Sequence, residues 1–271
     1  MGALDGMVAI VTGAGSGNGL AIANAFSGEG CAVVIGEYSE ERGTVAAEGI
    51  QRAGGRARFI RTDVSRWEDV DRLVGLTLNA FGPPHILVNN AGVLDGYATC
   101  IDTSLALFER VIAINLQGVF FGCKRVLPEM VKGGYGKIIN IASVAGLQAQ
   151  AGGTAYTAAK HGVVGLTRQL ACEYGPSGIR VNALCPGPVT TQLRRTSAEV
   201  LGDIAPSMAG GLGTAPDEVI RGLIPLGFRG SADDVARAAL FLASRDSDYI
   251  NGHTLVLDGG LTAGGSRPWT R

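Results

Sequence analysis

The chain has 271 residues, of which 46% are hydrophobic and 17% charged, and its formal net charge is −1. A near-neutral chain offers neither a nucleic-acid surface nor an anionic-membrane surface, and this length buries about three quarters of the unfolded chain's area in a large core. Glycine is frequent, at 42 residues, but it falls at element ends without a three-residue period, which excludes collagen-like structure and favours many tight turns.

Residues 7–12, MVAIVT, read as a strand that runs into TGAGSGNG, Thr12 to Gly19, and then into a helical pattern from Leu20 to Glu29. Strand, glycine loop and helix together are the setting of a phosphate-binding turn. Gly13 permits the turn, Gly17 and Gly19 let backbone approach a pyrophosphate and pack the helix on the sheet, and the helix start, with Ser16 and Asn18, offers N–H groups to the anion. A second apolar run, Cys31 to Ile35, ends at Gly36 and Glu37. A carboxylate there accepts hydrogen bonds from ribose hydroxyls and repels a 2′-phosphate. Neither the glycine loop nor the next residue, Tyr38, supplies an arginine or lysine, so the site is expected to prefer NAD over NADP.

A helix from about 40 to 53 leads to the strand ARFIRT, followed by Asp63 and Val64. A helix from Trp67 to Phe81 precedes the strand ILVN and the turn Asn89, Asn90, Ala91, Gly92. Next comes a long helical region, Ser104 to Val131, whose apolar face reads Phe108, Val111 and Ile112, with Asn115 at the i+7 place on that face. A buried asparagine needs partners, either as a structural post or as part of a site, and spacing favours the post.

The strand KIINIA ends at Ser143, and the following helix carries Tyr156 and Lys160 and runs to about Tyr174. Four residues on a helix leave two side chains roughly 40° apart and about 6 Å along the axis, so these two share a face. An ammonium about 4 Å from a phenol is worth roughly 4 kcal/mol at an effective dielectric near 20, which predicts a phenol brought down toward neutrality, where proton transfer works best. A sixth strand, IRVNALC, ends at Pro186 and Gly187. Residues 188–230 then loosen into glycine and proline with short helical pieces at best, and read as a mobile lid. A helix from Ser231 to about Ser244 and a seventh strand in HTLVLDGG close the pattern.

Strands alternating with helices throughout predict one domain over 1–271, an α/β doubly wound parallel seven-stranded sheet with helices on both faces. Ligands of such sheets bind beyond the strands' carboxyl ends, where Glu37, Asn89, Ser143 and Gly187 all fall. The five cysteines (Cys31, Cys100, Cys123, Cys172, Cys185) are odd in number and lack CxxC spacing, so buried free thiols are expected, with no disulfide and no metal site. With neither a signal peptide nor a span of about 20 apolar residues, a cytoplasmic protein is expected. The tail after Gly264 has little apolar content and is expected to be loosely held.

Taken together, TGAGSGNG, NNAG, Asn115, Ser143, YTAAK, the Pro186–Gly187 turn and LDGG resemble the short-chain dehydrogenase/reductase family in order and approximate spacing, from about Gly6 to Thr262. The resemblance implies a Rossmann-like fold and hydride transfer between a nicotinamide cofactor and a secondary alcohol or its ketone. By position it implies Tyr156 as general acid/base, Ser143 as hydrogen-bond partner of the substrate oxygen, and Lys160 as ligand of the nicotinamide ribose and depressor of the Tyr156 pKa. It makes Asn115 the holder of a water linking Lys160 to solvent, reversing the preference from spacing. It also places Asp63 and Val64 at the adenine, Asn90, Ala91 and Gly92 beside the adenosine ribose, and Pro186, Gly187, Val189 and Thr191 along the nicotinamide side. A homotetramer is implied, through the helices holding Asn115 and Tyr156 and through the last helix and strand. Asn18 departs from the usual Ile or Leu and puts a polar side chain near the pyrophosphate. His85 departs from the common Asp and reads as structural, as does His253, while His161 should point away from the Tyr156 face.

For the substrate, Leu94, Tyr97, Leu147, Gly153 and Leu193 are expected walls, with Leu201 and Met208. They suit an uncharged ring or chain of small to medium size. Arg194 and Arg195 offer a carboxylate clamp instead, against the usual solvation of adjacent lid arginines. The rival readings are an NADPH-dependent biosynthetic ketone reductase of the ketoacyl or polyketide type, and a nucleotide-binding sensor without chemistry.

Overall fold

A computed structural model describes residues 2–264, and the tail after Gly264 lies outside the described residues. The apolar runs form strands β1 (Val8–Thr12), β2 (Ala32–Glu37), β3 (Arg56–Arg61), β4 (Ile86–Asn89), β5 (Gly136–Ile141) and β6 (Ile179–Pro186), then the two-residue strands β7 (Val189–Thr190) and β8 (Gly230–Ser231), and finally β9 (Thr254–Leu257). Between them lie helices α1 (Gly17–Gly28), α2 (Glu40–Arg52), α3 (Trp67–Phe81), α4 (Leu105–Ile112), α5 (Gly118–Gly133), α6 (Thr154–Tyr174), α7 (Leu193–Leu201), α8 (Asp217–Leu223) and α9 (Ala232–Ala243). Seven strands form one parallel sheet in the order β3-β2-β1-β4-β5-β6-β9, while β7 and β8 pair separately.

The inner strands are buried at almost every position because both faces of the sheet are covered there, whereas the edge strand β3, RARFIR, alternates exposed arginines with buried Ala57 and Ile60. With side chains alternating, Ala9, Val11, Val33 and Ile35 pack with Ile22, Phe26 and Leu242 of α1 and α9, whereas Ile10 and Val34 join Leu73, Val126 and Val163 of α3, α5 and α6. Each fully buried Val, Ile or Phe side chain stabilises the fold by about 1.5–3 kcal/mol. The strand order reverses between β1 and β4, so the loops after them diverge and leave a crevice at the carboxyl edge.

The long helix departs from its sequence reading. Its buried face is Leu107, Val111, Ile114 and Asn115, while Phe108 is exposed and Ile112 only half-buried. The buried positions keep the i, i+4, i+7, i+8 spacing of one helix face, which lies one position earlier than the face read from Phe108 and Ile112, and residues Ala113–Gln117 form a π-helical turn between α4 and α5. The whole run Leu105–Gly133 spans 29 residues and contains an 18-residue stretch of mean hydropathy 1.4, long and apolar enough to cross a bilayer by those measures alone. Its buried residues Val119, Val126 and Met130 pack within the sheet's second core. Residues 188–230 carry more regular structure than expected, including the nine-residue α7 and seven-residue α8.

Candidate active site

The site assembles along the carboxyl edge. At its first end, Gly13 has φ 64° and Gly17 φ 53°, a region closed to most side chains, and a Cβ on Gly13 would sit 2.8 Å from Ala91 Cα. A Cβ on Gly19 would lie 2.3 Å from the Gly13 carbonyl oxygen. The start of α1 has no side-chain cap and no acidic residue in its first turn, which leaves its N–H groups to an anion. Asn18 lines the same cavity, and its buried Oδ1 has no hydrogen-bond partner among the described residues. A cradle of backbone with open donors fits a dinucleotide pyrophosphate.

The turn after β4 holds that loop in place. Asn90 Nδ2 donates to the carbonyls of Thr12 (2.9 Å) and Gly13 (3.1 Å), and the N–H groups of Asn90 and Ala91 donate to Thr12 Oγ1. At the end of β2, Glu37 is buried and accepts from Gly15 N–H (3.0 Å) and Ser39 N–H (3.1 Å). The expectation that no basic residue reaches this point is corrected. Arg42, in the first turn of α2, folds back to 3.7 Å from Glu37 and also pairs with Glu199 of α7. Tyr38 lines the cavity with the Arg61 guanidinium 5.7 Å from its ring centroid. Asp63 accepts from Ser65 Oγ (2.6 Å) and Arg110 (3.0 Å). Burial alone pushes the Asp63 carboxyl up, but these bonds outweigh it and hold the group below its ordinary value. Val64, Gly92, Pro186, Gly187, Val189 and Thr191 also line the cavity, whose volume is about 480 Å³.

At the other end Ser143, Tyr156 and Lys160 line one wall. Ser143 follows β5 and caps a short 3₁₀ turn, its Oγ accepting from Ala145 N–H at 3.1 Å. Tyr156 and Lys160 lie on one face of α6, with Lys160 Nζ 5.5 Å from the Tyr156 ring centroid and donating to the Ile141 carbonyl at 2.8 Å. The predicted fall of the Tyr156 pKa is corrected. Burial pushes the phenol above its usual value and outweighs the opposing Ser143 hydroxyl, because the lysine points to a carbonyl instead of the phenol. Burial also brings Lys160 down to about 8.

Asn115 is fully buried, and its amide forms a reciprocal pair with the Val93 backbone, Val93 N–H to Oδ1 and Nδ2 to the Val93 carbonyl, both 2.8 Å. That geometry ties the Asn115 side chain to the NNAG turn. His161 is exposed and bonds only the Thr157 carbonyl, His85 accepts from Val8 N–H below β1, and His253 is exposed at the start of β9.

Of the expected substrate walls, Leu94, Tyr97 and Leu193 line the cavity and Met208 packs beside them. Leu147 is exposed and Gly153 is turned inward against Asp95, so neither lines it. Leu201 packs behind the wall with Val93 and Ala155. Two contributors carried no local motif. Asp95 is fully buried and accepts from the N–H groups of Tyr97, Gly153 and Tyr156, and Ser197 of α7 accepts from Leu94 N–H at 2.8 Å.

Residues 13–262 match the family described as enoyl-(acyl carrier protein) reductase. The chain is 40% identical over 259 residues to 2-(R)-hydroxypropyl-CoM dehydrogenase of Xanthobacter autotrophicus, covering 94% of this chain and 98% of that protein. It is 39% identical over 256 residues to cis-4-hydroxycyclohexanecarboxylate dehydrogenase of Sinomonas cyclohexanicum, covering 94% and 96%. The crystal structure of levodione reductase superposes with a TM-score of 0.86 at 32% identity, covering 97% of this chain and all of the other. The chain is therefore an oxidoreductase that belongs to the short-chain dehydrogenase/reductase family.

Proposed function

We propose that the protein is an NAD(H)-dependent dehydrogenase that interconverts a secondary alcohol and its ketone, with Tyr156 as general acid/base. The observation that carries this reading is that Ser143, Tyr156 and Lys160 share a wall of the one cavity whose far end holds the glycine loop and Glu37. When bound, the nicotinamide supplies the hydride acceptor or donor. In the reducing direction, the protonated Tyr156 phenol donates its proton to the carbonyl oxygen while the Ser143 hydroxyl holds that oxygen in place. In the oxidising direction, Tyr156 takes the hydroxyl proton, and the Lys160 ammonium stabilises the phenolate that forms. The Asn115 side chain fixes the turn that carries Gly92 beside Lys160.

Glu37 supports NAD as the cofactor, since its buried carboxylate repels a 2′-phosphate. The biosynthetic NADPH reductase reading gains one observation, Arg42 at the same place, but Arg42 is shared between Glu37 and Glu199 and leaves the local charge negative. Residues 188–230 serve as the substrate lid, and the fully buried Ser197 pins α7 to Leu94. A cytoplasmic homotetramer fits the buried free thiols of Cys31, Cys123 and Cys185 and the exposed Leu105, Phe108, Phe120 and Phe241 on α4, α5 and α9; light scattering during size-exclusion chromatography reads the subunit number. The enzymatic test is incubation with NAD⁺ or NADP⁺ and a panel of secondary alcohols, followed at the reduced-nicotinamide absorbance band. Reduction of NAD⁺ by at least one alcohol is expected, and a faster rate with NADP⁺, or none with any alcohol, overturns the reading.

A further inference from the structure

Five cations line the cavity, and four of them are engaged. Arg42 pairs with Glu37 and Glu199, Arg110 with Asp63, and Arg229 with Asp217, while Lys160 donates to the Ile141 carbonyl deep in the wall. The fifth, Arg194, has no carboxylate partner among the described residues. One of its five N–H donors goes to the Met208 carbonyl.

The surroundings of Arg194 hold its guanidinium in position without neutralising it. The Arg194 Cζ lies 5.7 Å from the Tyr97 ring centroid, and a Cβ on Gly213 would come within 2.9 Å of Nε, so the absence of a side chain at Gly213 makes the space. Arg194 also stands in the first turn of α7, which has no side-chain cap and no acidic residue, so the helix dipole adds to its charge. The neighbouring Arg195 is exposed and paired with Glu199 and Gln192. Among the described residues, the only acids that line the cavity are Glu37 and Asp63, both at the end with the glycine loop, and Asp95 behind Tyr97 is spent on three backbone N–H groups. Leu193 and Met208, on either side of the guanidinium's anchorage, pack with Leu94 and Tyr156. The unpaired cation therefore borders the compartment that holds the catalytic phenol.

We propose that Arg194 anchors a carboxylate on the substrate, so that the alcohol or ketone accepted by this site is a hydroxy or oxo acid with an apolar body. The inference rests on the dehydrogenase reading above and names the substrate class of the same site. A planar guanidinium held by the Met208 carbonyl and the Tyr97 side chain still has donors to present to a carboxylate, and the apolar walls of Leu94, Leu193 and Ala151 suit the carbon frame.

The test uses benzoate and its neutral isostere benzamide as dead-end probes, titrated into the preformed NADH complex so that the pyrophosphate site is blocked. A charge-assisted bidentate contact predicts that benzoate binds roughly tenfold or more tightly than benzamide, and that the preference weakens with added salt. Arg194→Gln keeps a donor for the Met208 carbonyl and should bring the two probes to parity, while Arg194→Lys retains part of the preference. Circular dichroism and NADH affinity should be unchanged in both variants. Equal binding of the two probes to the wild-type protein, binding of neither, or a preference that survives in Arg194→Gln overturns the proposal. NADH fluorescence is recorded before either probe is added. Failure there counts against the dehydrogenase reading, and calorimetry of the same probes on the cofactor-free wild-type and Arg194→Gln proteins then reads the anion site alone.

Discussion

Asp95 Oδ2 accepts the backbone N–H of Tyr156 at 2.8 Å, while Oδ1 of the same carboxylate accepts that of Gly153 at 3.0 Å. A residue from the loop after β4 thus caps the start of α6, the helix that carries Tyr156 and Lys160. The same Oδ1 takes Tyr97 N–H, and Gly96 and Tyr97 stand at φ 66° and 64°, so one carboxylate ties a left-handed loop at the cavity to α6. Replacing Asp95 with Ala removes an N-terminal cap and leaves three N–H groups unpaired, which should cost about 2–4 kcal/mol of stability. Thermal melts check the loss. A pH–rate profile separates a positioning role from simple packing: Asp95 raises the Tyr156 pKa, after burial as the main cause, so Asp95→Asn should move the Tyr156 limb to lower pH. An unmoved limb with an unchanged melt excludes this coupling.

Tyr156→Phe deletes one oxygen from a side chain that packs with Leu94 and Ala145, so the fold and the cofactor cradle should be untouched. Loss of a positioned general acid/base costs about 10²–10⁴-fold. Turnover should therefore fall by at least that range while NADH affinity, read by fluorescence, stays within about twofold of the wild-type protein. Appreciable residual turnover removes Tyr156 from its assigned role.

The sheet was legible from the sequence because most of its strands are apolar runs that end in a turn residue, with RARFIR of β3 read from its alternation, and α3 follows its predicted bounds of Trp67 to Phe81. The glycine loop, Glu37, Ser143, Tyr156 and Lys160 were legible for the same reason, since each sits at or just beyond a strand end or on one helix face. Other features depend on distant partners. Arg42 reaches Glu37 only because α2 turns back over the strand end, and Asp95 meets α6 across more than 50 positions of chain. The electrostatic reading of Tyr156 failed because spacing places Lys160 on the right face but does not say which acceptor its ammonium will choose, and here that acceptor is the Ile141 carbonyl. The phase of α4 was misread because apolar residues lie on both sides of it: Phe108 and Leu105 are exposed while Leu107 and Val111 are buried.

In the proposed dehydrogenase, cofactor choice rests on Glu37, which has Arg42 at 3.7 Å. Removing the carboxylate by Glu37→Ala takes away the repulsion toward a 2′-phosphate and at the same time frees Arg42, which still has Glu199 as a partner. Discrimination against NADP should therefore relax by roughly tenfold or more in kcat/KM, the scale of one charge-assisted contact. The double variant Glu37→Ala, Arg42→Ala should lose most of that gain. If the double variant uses NADP as well as the single one does, Arg42 is not the phosphate's partner, and the relaxation comes from the lost repulsion alone.

Lys160 is buried, and burial lowers its pKa to about 8 from 10.5. Between those two values the unfolded chain holds the proton that the folded chain has released, so this group makes stability rise with pH across that window. Below about pH 8 both states are protonated and the folded protein carries the full cost of a buried ammonium. Integrated over the window, the contribution is about 3 kcal/mol at most. Lys160→Met removes the titration and keeps the side chain's length. Denaturant melts of the two proteins at pH 7, 8, 9 and 10 should therefore show the variant's stability relative to wild type falling steadily from pH 8 upward and level below it. A difference that stays constant across the four values means that Lys160 titrates alike in the folded and unfolded chains.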